Sequence, residues 1–168
     1  MPIELPLRQL QNALKHQFDV YEDDHLGQLP LRFSAHYQRR DERYILSKKA
    51  TVWSVENNQH FFFYEPKEAT METFSEFVRE LYAHIHTKTS HSSQHMSSIY
   101  IGLLLTATAP SPELCQAARR CRSLSFIKWG LHGWAERYAG ILLQDGSQLY
   151  AHKKGKPFIE PFLQIYKT

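Results

Sequence analysis

The sequence predicts a single α+β domain, antiparallel sheet covered by helices, and three observations carry that prediction. Thr70 to Lys88 repeats apolar residues at helical spacing. Residues 31 to 65 alternate with the two-residue period of strands, with tight-turn candidates between the runs. Asp145-Gly146 lies between two further apolar runs, a strong hairpin signal. A chain of 168 residues is one domain by size, residues 1–168 taken together, and 42% hydrophobic with 13% aromatic residues supplies one core.

The elements follow in chain order as α-βββ-α-β-α-βββ-α. Leu7, Leu10, Leu14 and Phe18 mark one face of an amphipathic first helix over Leu5 to Phe18. A polar, acidic connector from Tyr21 to Gln28 leads to a three-stranded meander. Its turns are assigned to Arg40-Asp41 and to Asn57-Asn58, because Asn tolerates the left-handed backbone of a tight hairpin. Those turns fix a register in which Leu31, Phe33, Ala35, Tyr37, Phe61 and Phe63 share the core face. Lys48 and Glu65 are the charged exceptions on that face, and Glu65 opposes Ala50, two residues from Lys48.

The second helix presents Met71, Phe74, Phe77, Val78, Leu81, Tyr82 and Ile85, with Glu72 and Glu76 near its positive end. Ser97 to Thr108 has a continuous apolar middle, the pattern of a strand buried on both faces. Ser111-Pro112-Glu113 starts a short helix, Ser as cap and Pro in the first turn. Strands are expected over Ser123 to Ile127 and Ala135 to Leu143, then across the Asp-Gly turn, before a closing helix from about Lys156 to Tyr166. The two meanders between helices hint at a duplication, although no residues match at a fixed period.

Composition narrows the function classes. A net charge of +3 and a pI near 8.8 are too mild to argue for nucleic acid. The longest apolar run, Ile99 to Ala107, is well short of the ~20 residues that cross a bilayer, and no basic-then-apolar leader opens the chain. A cytoplasmic protein with no membrane partner is expected. Cys115 and Cys121, six apart, suit neither a CxxC redox pair nor a zinc knuckle.

Four chemistry-bearing groupings stand out. His84, His86, His91 and His95 are close enough in sequence to gather a metal, but no Cys or carboxylate completes a ligand set, so no metal or cofactor is assigned. Glu65-Pro66-Lys67 ends a strand before a helix, as the Glu-x-Lys of restriction-endonuclease-like nucleases does. Such an enzyme needs a second carboxylate sharing its magnesium ion, and in the expected register Asp41 and Glu42 are roughly 25 to 30 Å from Glu65 at ~3.3 Å per residue. Lys48 with Glu65 is a charge pair on an apolar face, which marks either a pocket, with Lys67 and His95 nearby, or a wet sheet margin. Last, Lys128-Trp129-Gly130-Leu131-His132-Gly133-Trp134 places two Trp around two Gly, either as a cross-strand aromatic pair or as a binding surface of Lys128, Trp129, His132 and Trp134.

Ala35-His36-Tyr37, Tyr44 to Ala50 (YILSKKA), His95-Met96-Ser97-Ser98, Gly130-Leu131-His132-Gly133-Trp134 and Lys153-Lys154-Gly155-Lys156 together resemble the signature blocks of an uncharacterised bacterial family, a domain of unknown function of anaerobic spore-forming Firmicutes. The resemblance spans residues 18 to 160 and departs at Trp129, where Phe is expected. It implies kinship and a bacterial cytosolic setting and carries over no catalytic residue. The function expected is a non-enzymatic binding or regulatory module, self-associating through the aromatic and His-bearing sheet surface, with a protein or small-molecule ligand. The alternative is a metal-dependent, nuclease-like hydrolase using Glu65-Pro66-Lys67.

Overall fold

The computed structural model describes residues 4–37, 57–89, 97–126 and 134–164. In chain order these form α1 (Glu4–Leu14), β1 (Asp19–Glu22), β2 (His25–Leu26), β3 (Leu29–Pro30), β4 (Phe33–Tyr37), β5 (Asn57–Tyr64), α2 (Met71–Thr89), β6 (Ser97–Thr106), α3 (Pro112–Arg120), β7 (Arg122–Phe126), β8 (Trp134–Leu143), β9 (Leu149–Tyr150) and α4 (Lys156–Leu163). The class is α+β. One sheet runs in the order β1-β4-β5-β6-β8-β7, with β9 added to β8, and β2 and β3 make a separate small hairpin.

Helices cover this sheet on both faces. Leu7, Leu10 and Leu14 of α1 and Ile159 and Leu163 of α4 pack on the face carrying Phe33, Ala35, Phe61 and Phe63. Phe74, Phe77 and Leu81 of α2 and Leu114 and Ala118 of α3 pack on the opposite face, against Phe62, Leu104 and Ile141. Strand alternation sorts Phe61 and Phe63 from Phe62, so all three rings are buried, in different cores. At Gly102 α2 packs closely on the sheet, since a Cβ there would meet the Phe77 ring at 2.6 Å.

Local signals behave as their chemistry requires. Ser111 Oγ accepts from the Leu114 amide at 3.2 Å and caps α3, with Pro112 in its first turn. Asp145-Gly146 turns β8 into β9, Gly146 taking φ +77° and Asp145 Oδ1 accepting from the Ser147 amide at 2.8 Å. The apolar middle of β6 is buried on both faces, Ile101, Leu103 and Leu104 being fully enclosed. Cys115 and Cys121 are free thiols.

Pairing at the centre of the sheet differs from a simple pair of meanders. The outer pairs are antiparallel, but β5 with β6 and β6 with β8 run parallel. Asn57 and Asn58 are not a turn; they open β5 and pair with Ser97 and Ser98. β4 joins β5 directly, Phe33 opposite Phe63 and Tyr37 opposite Gln59, and β1 occupies the other edge of β4. The register that set Glu65 opposite Ala50 therefore does not hold, because β4 and β6 take both edges of β5 and complete its hydrogen bonding. Arg40, Asp41, Glu42, Lys48 and Ala50 lie outside the described residues. β7 and β8 pair antiparallel, with Trp134 facing Phe126, while Trp129 lies outside the described residues.

Candidate functional site in the crevice at the strand ends

The three parallel strands end on one side of the sheet, so the residues just beyond them converge. β5 is followed by Glu65, β6 closes with Thr106, and β8 is followed by Gln144, whose amide donates to the Thr106 carbonyl at 2.9 Å. Short loops then lead from β5 into α2 and from β6 into α3, which brings both helix N-termini to the same end. A cleft of about 450 Å³ opens there, lined by residues 65–70, 105–111 and Gln144. Ligands of open α/β sheets bind in this position, outside the carboxyl ends of parallel strands, and the volume is in the range of small-molecule sites.

Glu65 is the anchor of the cleft. Its Oε1 accepts from Arg32 Nη1 at 3.0 Å, an ion pair in which both side chains remain partly exposed. Its Oε2 accepts from the Gln144 side-chain amide. Gln144 is 2% exposed, and this contact fixes which way its amide faces: the nitrogen meets the carboxylate, which leaves Oε1 as the free end. That Oε1 is buried without a hydrogen-bond partner. An unpaired buried carbonyl costs ~1–3 kcal/mol.

The rim is set by the helix starts. Thr70 and Thr73 cap α2 reciprocally, Thr70 Oγ1 accepting from the Thr73 amide at 3.1 Å and Thr73 Oγ1 from the Thr70 amide at 2.9 Å. Ser111 caps α3 in one direction only, accepting the Leu114 amide. Lys67 and Glu68, both exposed, line the cleft beside them.

A second polar cluster runs across β4 and the middle of β5, from Asp24 just beyond β1 through Ser34 and His36 to His60. Ser34 donates to Asp24 Oδ2 at 2.5 Å, His36 Nε2 meets Ser34 Oγ at 3.0 Å, and His36 Nδ1 meets His60 Nδ1 at 2.8 Å. Because the single Ser34 proton goes to Asp24, His36 Nε2–H must donate to Ser34. Which Nδ1 donates in the His36–His60 contact depends on the protonation of the two rings. His60 stacks on Tyr100 at 4.8 Å, and Tyr100 is in register with Arg137, whose guanidinium sits 4.8 Å over the Tyr82 ring and donates to Ser125 Oγ at 2.8 Å. Burial pushes the Asp24 carboxyl up, but the Ser34 hydroxyl, the His25 amide and the His36 and His84 imidazoles outweigh it and hold it below its ordinary value.

Residues 4–164 match the family described as a domain of unknown function, DUF8052. The chain belongs to the DUF8052 family. No curated protein and no solved structure matches it.

For this DUF8052 member, the structure brings together part of what the sequence singled out. Glu65 and Lys67 share the cleft. Trp134 starts β8 at the opposite end of that strand, its Nε1 donating to Glu136 Oε1 at 3.3 Å. Lys48, His95, Lys128, Trp129 and His132 lie outside the described residues. Both oxygens of Glu65 face donors, and among the described residues no group of three His, Cys, Asp or Glu is placed to hold a metal ion. His60, Phe62 and Tyr100 on β5 and β6 are buried. Among the described residues no helix is long and apolar enough to cross a membrane.

Arg32, Thr106 and Gln144 were not picked out from the sequence. Gln144 reads there as the first residue of the Asp-Gly turn; its one distinguishing mark is that it follows an apolar strand, as Glu65 does.

Proposed function

We propose that this protein is a non-enzymatic binding module of the cytoplasm that takes a small polar molecule in the crevice at the carboxyl ends of β5, β6 and β8. The observation that carries the reading is Gln144: a nearly inaccessible side chain, tied to Glu65, with its carbonyl unsatisfied at the edge of a cleft of ligand size. A carboxylate whose oxygens are already engaged by Arg32 and Gln144 is held in one orientation, which suits recognition. The free Cys115 and Cys121 suit a reducing compartment. Self-association belongs to the same reading, through the outer edge strand β7, where Leu124 is 41% exposed.

Thermal denaturation with L-amino acids, simple sugars, nucleotides and inorganic phosphate tests the proposal. One class should raise the Tm in a saturable way, as a ligand of the native state does, and Gln144→Leu should abolish the rise. A Tm unmoved by every class, or conversion of a compound into product, would contradict a binding module.

A further inference from the structure

The chemistry lining the cleft is of two kinds, and together they describe a ligand. The acceptors are the Gln144 carbonyl, which has no partner, and the Glu65 carboxylate, which has lone pairs beyond those given to Arg32 and Gln144. These call for N–H or O–H donors. The same lining holds Lys67 and the starts of α2 and α3, where helix dipoles and first-turn amides favour negative charge. Pro112 has no amide hydrogen and Ser111 takes the Leu114 amide, so part of the donor capacity of α3 is spent, and Lys67 supplies the full charge.

The formal charges balance, with Arg32 and Lys67 against Glu65 and Glu68. A ligand with a large net charge of either sign would leave some of these groups opposed. A ligand with separated opposite charges satisfies both kinds.

We infer that the crevice binds a small zwitterion of the amino-acid or dipeptide class, its ammonium at Glu65 and Gln144 and its carboxylate towards Lys67 and the helix starts. This inference rests on the reading of the crevice as a binding site. The unmet Gln144 acceptor is the point at which ligand chemistry is most constrained, because an anion placed against that carbonyl would be repelled. An ammonium donates to it and to Glu65 at once. The cleft of about 450 Å³ has room for one or two residues of such a molecule.

Isothermal titration of the full chain with the common L-amino acids, glycylglycine, inorganic phosphate, AMP and glucose, and with the N-acetyl and C-amide forms of whichever amino acid or peptide binds, tests the inference. The expected result is that a zwitterion binds and that blocking either end weakens it tenfold or more. Lys67→Ala, at an exposed position that leaves the fold intact, should lower affinity for the intact zwitterion several-fold and leave that for its C-amide unchanged. Gln144→Leu should remove binding of both. Equal affinity for the N-acetyl form, or binding of only inorganic phosphate, a nucleotide or a sugar, would overturn the zwitterion assignment while keeping the site. No binding by any of these probes would overturn the site itself, and with it this inference.

Discussion

Glu65 and Gln144, 79 residues apart in the chain, meet where β5 and β8 end, the Gln144 amide donating to Glu65 Oε2 while Arg32 holds Oε1 at 3.0 Å. The two contacts differ in environment, and that sets their weight. Gln144 is buried and Arg32 is 40% exposed at its side chain.

Gln144→Leu should therefore destabilise the protein by ~1–2 kcal/mol, the loss of a hydrogen bond to a charged group being partly offset by removal of the unpaired Gln144 carbonyl. Arg32→Ala should cost at most ~1 kcal/mol, because a solvent-screened ion pair contributes little. Urea unfolding of both variants checks the order. A larger loss from Arg32→Ala would show that the ion pair, rather than the buried amide, holds the carboxylate.

The Asp24–Ser34–His36–His60 chain makes a prediction about proton positions. At neutral pH His36 should carry a proton on Nε2, because Ser34 gives its own proton to Asp24 and must accept from His36. Nitrogen-15 correlation spectra of the imidazole rings distinguish the tautomers. Finding His36 protonated at Nδ1 alone would contradict the direction of the chain.

Asp24 gives a pH dependence with a definite sign. Its folded value is lowered from 3.8, so its contribution is complete above that value and is lost as pH falls through the folded one. Ser34→Ala removes the contact that lowers it most. The stability gap between variant and parent should be widest at neutral pH and narrow below about pH 3.8, as urea midpoints between pH 7 and pH 2.5 will show. A gap constant over that range would mean the hydroxyl does not act through the charge on Asp24.

Gly102 tests the packing of α2 on the sheet. Gly102→Ala puts a Cβ 2.6 Å from the Phe77 ring and 3.2 Å from Leu81, so it should cost ~1–3 kcal/mol by overpacking. Gly102→Ala with Phe77→Leu should recover part of that loss, which a double-mutant cycle measures. No recovery would place the strain in the backbone of β6.

Much of the local structure was legible because it follows from neighbours in sequence. Leu7, Leu10 and Leu14, the Ser111 cap, the Asp145-Gly146 turn and the sorting of Phe61 from Phe62 all depend on periodicity or on a side chain bonding its own backbone. The parallel centre was not, because the pairing of Asn57–Tyr64 with residues 97–104 is set by helix cover on both faces and leaves only a weak trace in either strand. Asn57 and Asn58 show the competition directly: Asn favours turns, yet pairing with β6 keeps them extended. Glu65 stood out as a carboxylate after an aromatic strand. Its partners did not, since bringing Gln144 and Arg32 to it requires the strand order.

The crevice is tested most directly by the side-chain amide of Gln144 in a 15N-labelled protein titrated with glycylglycine and the L-amino acids. The Gln144 amide signals and the backbone amides of Lys67, Thr70 and Ser111 should shift together along one saturable curve with at least one of these probes. Binding that leaves all four unmoved, or the absence of any shift with every probe, would contradict the assignment of this crevice as the ligand site.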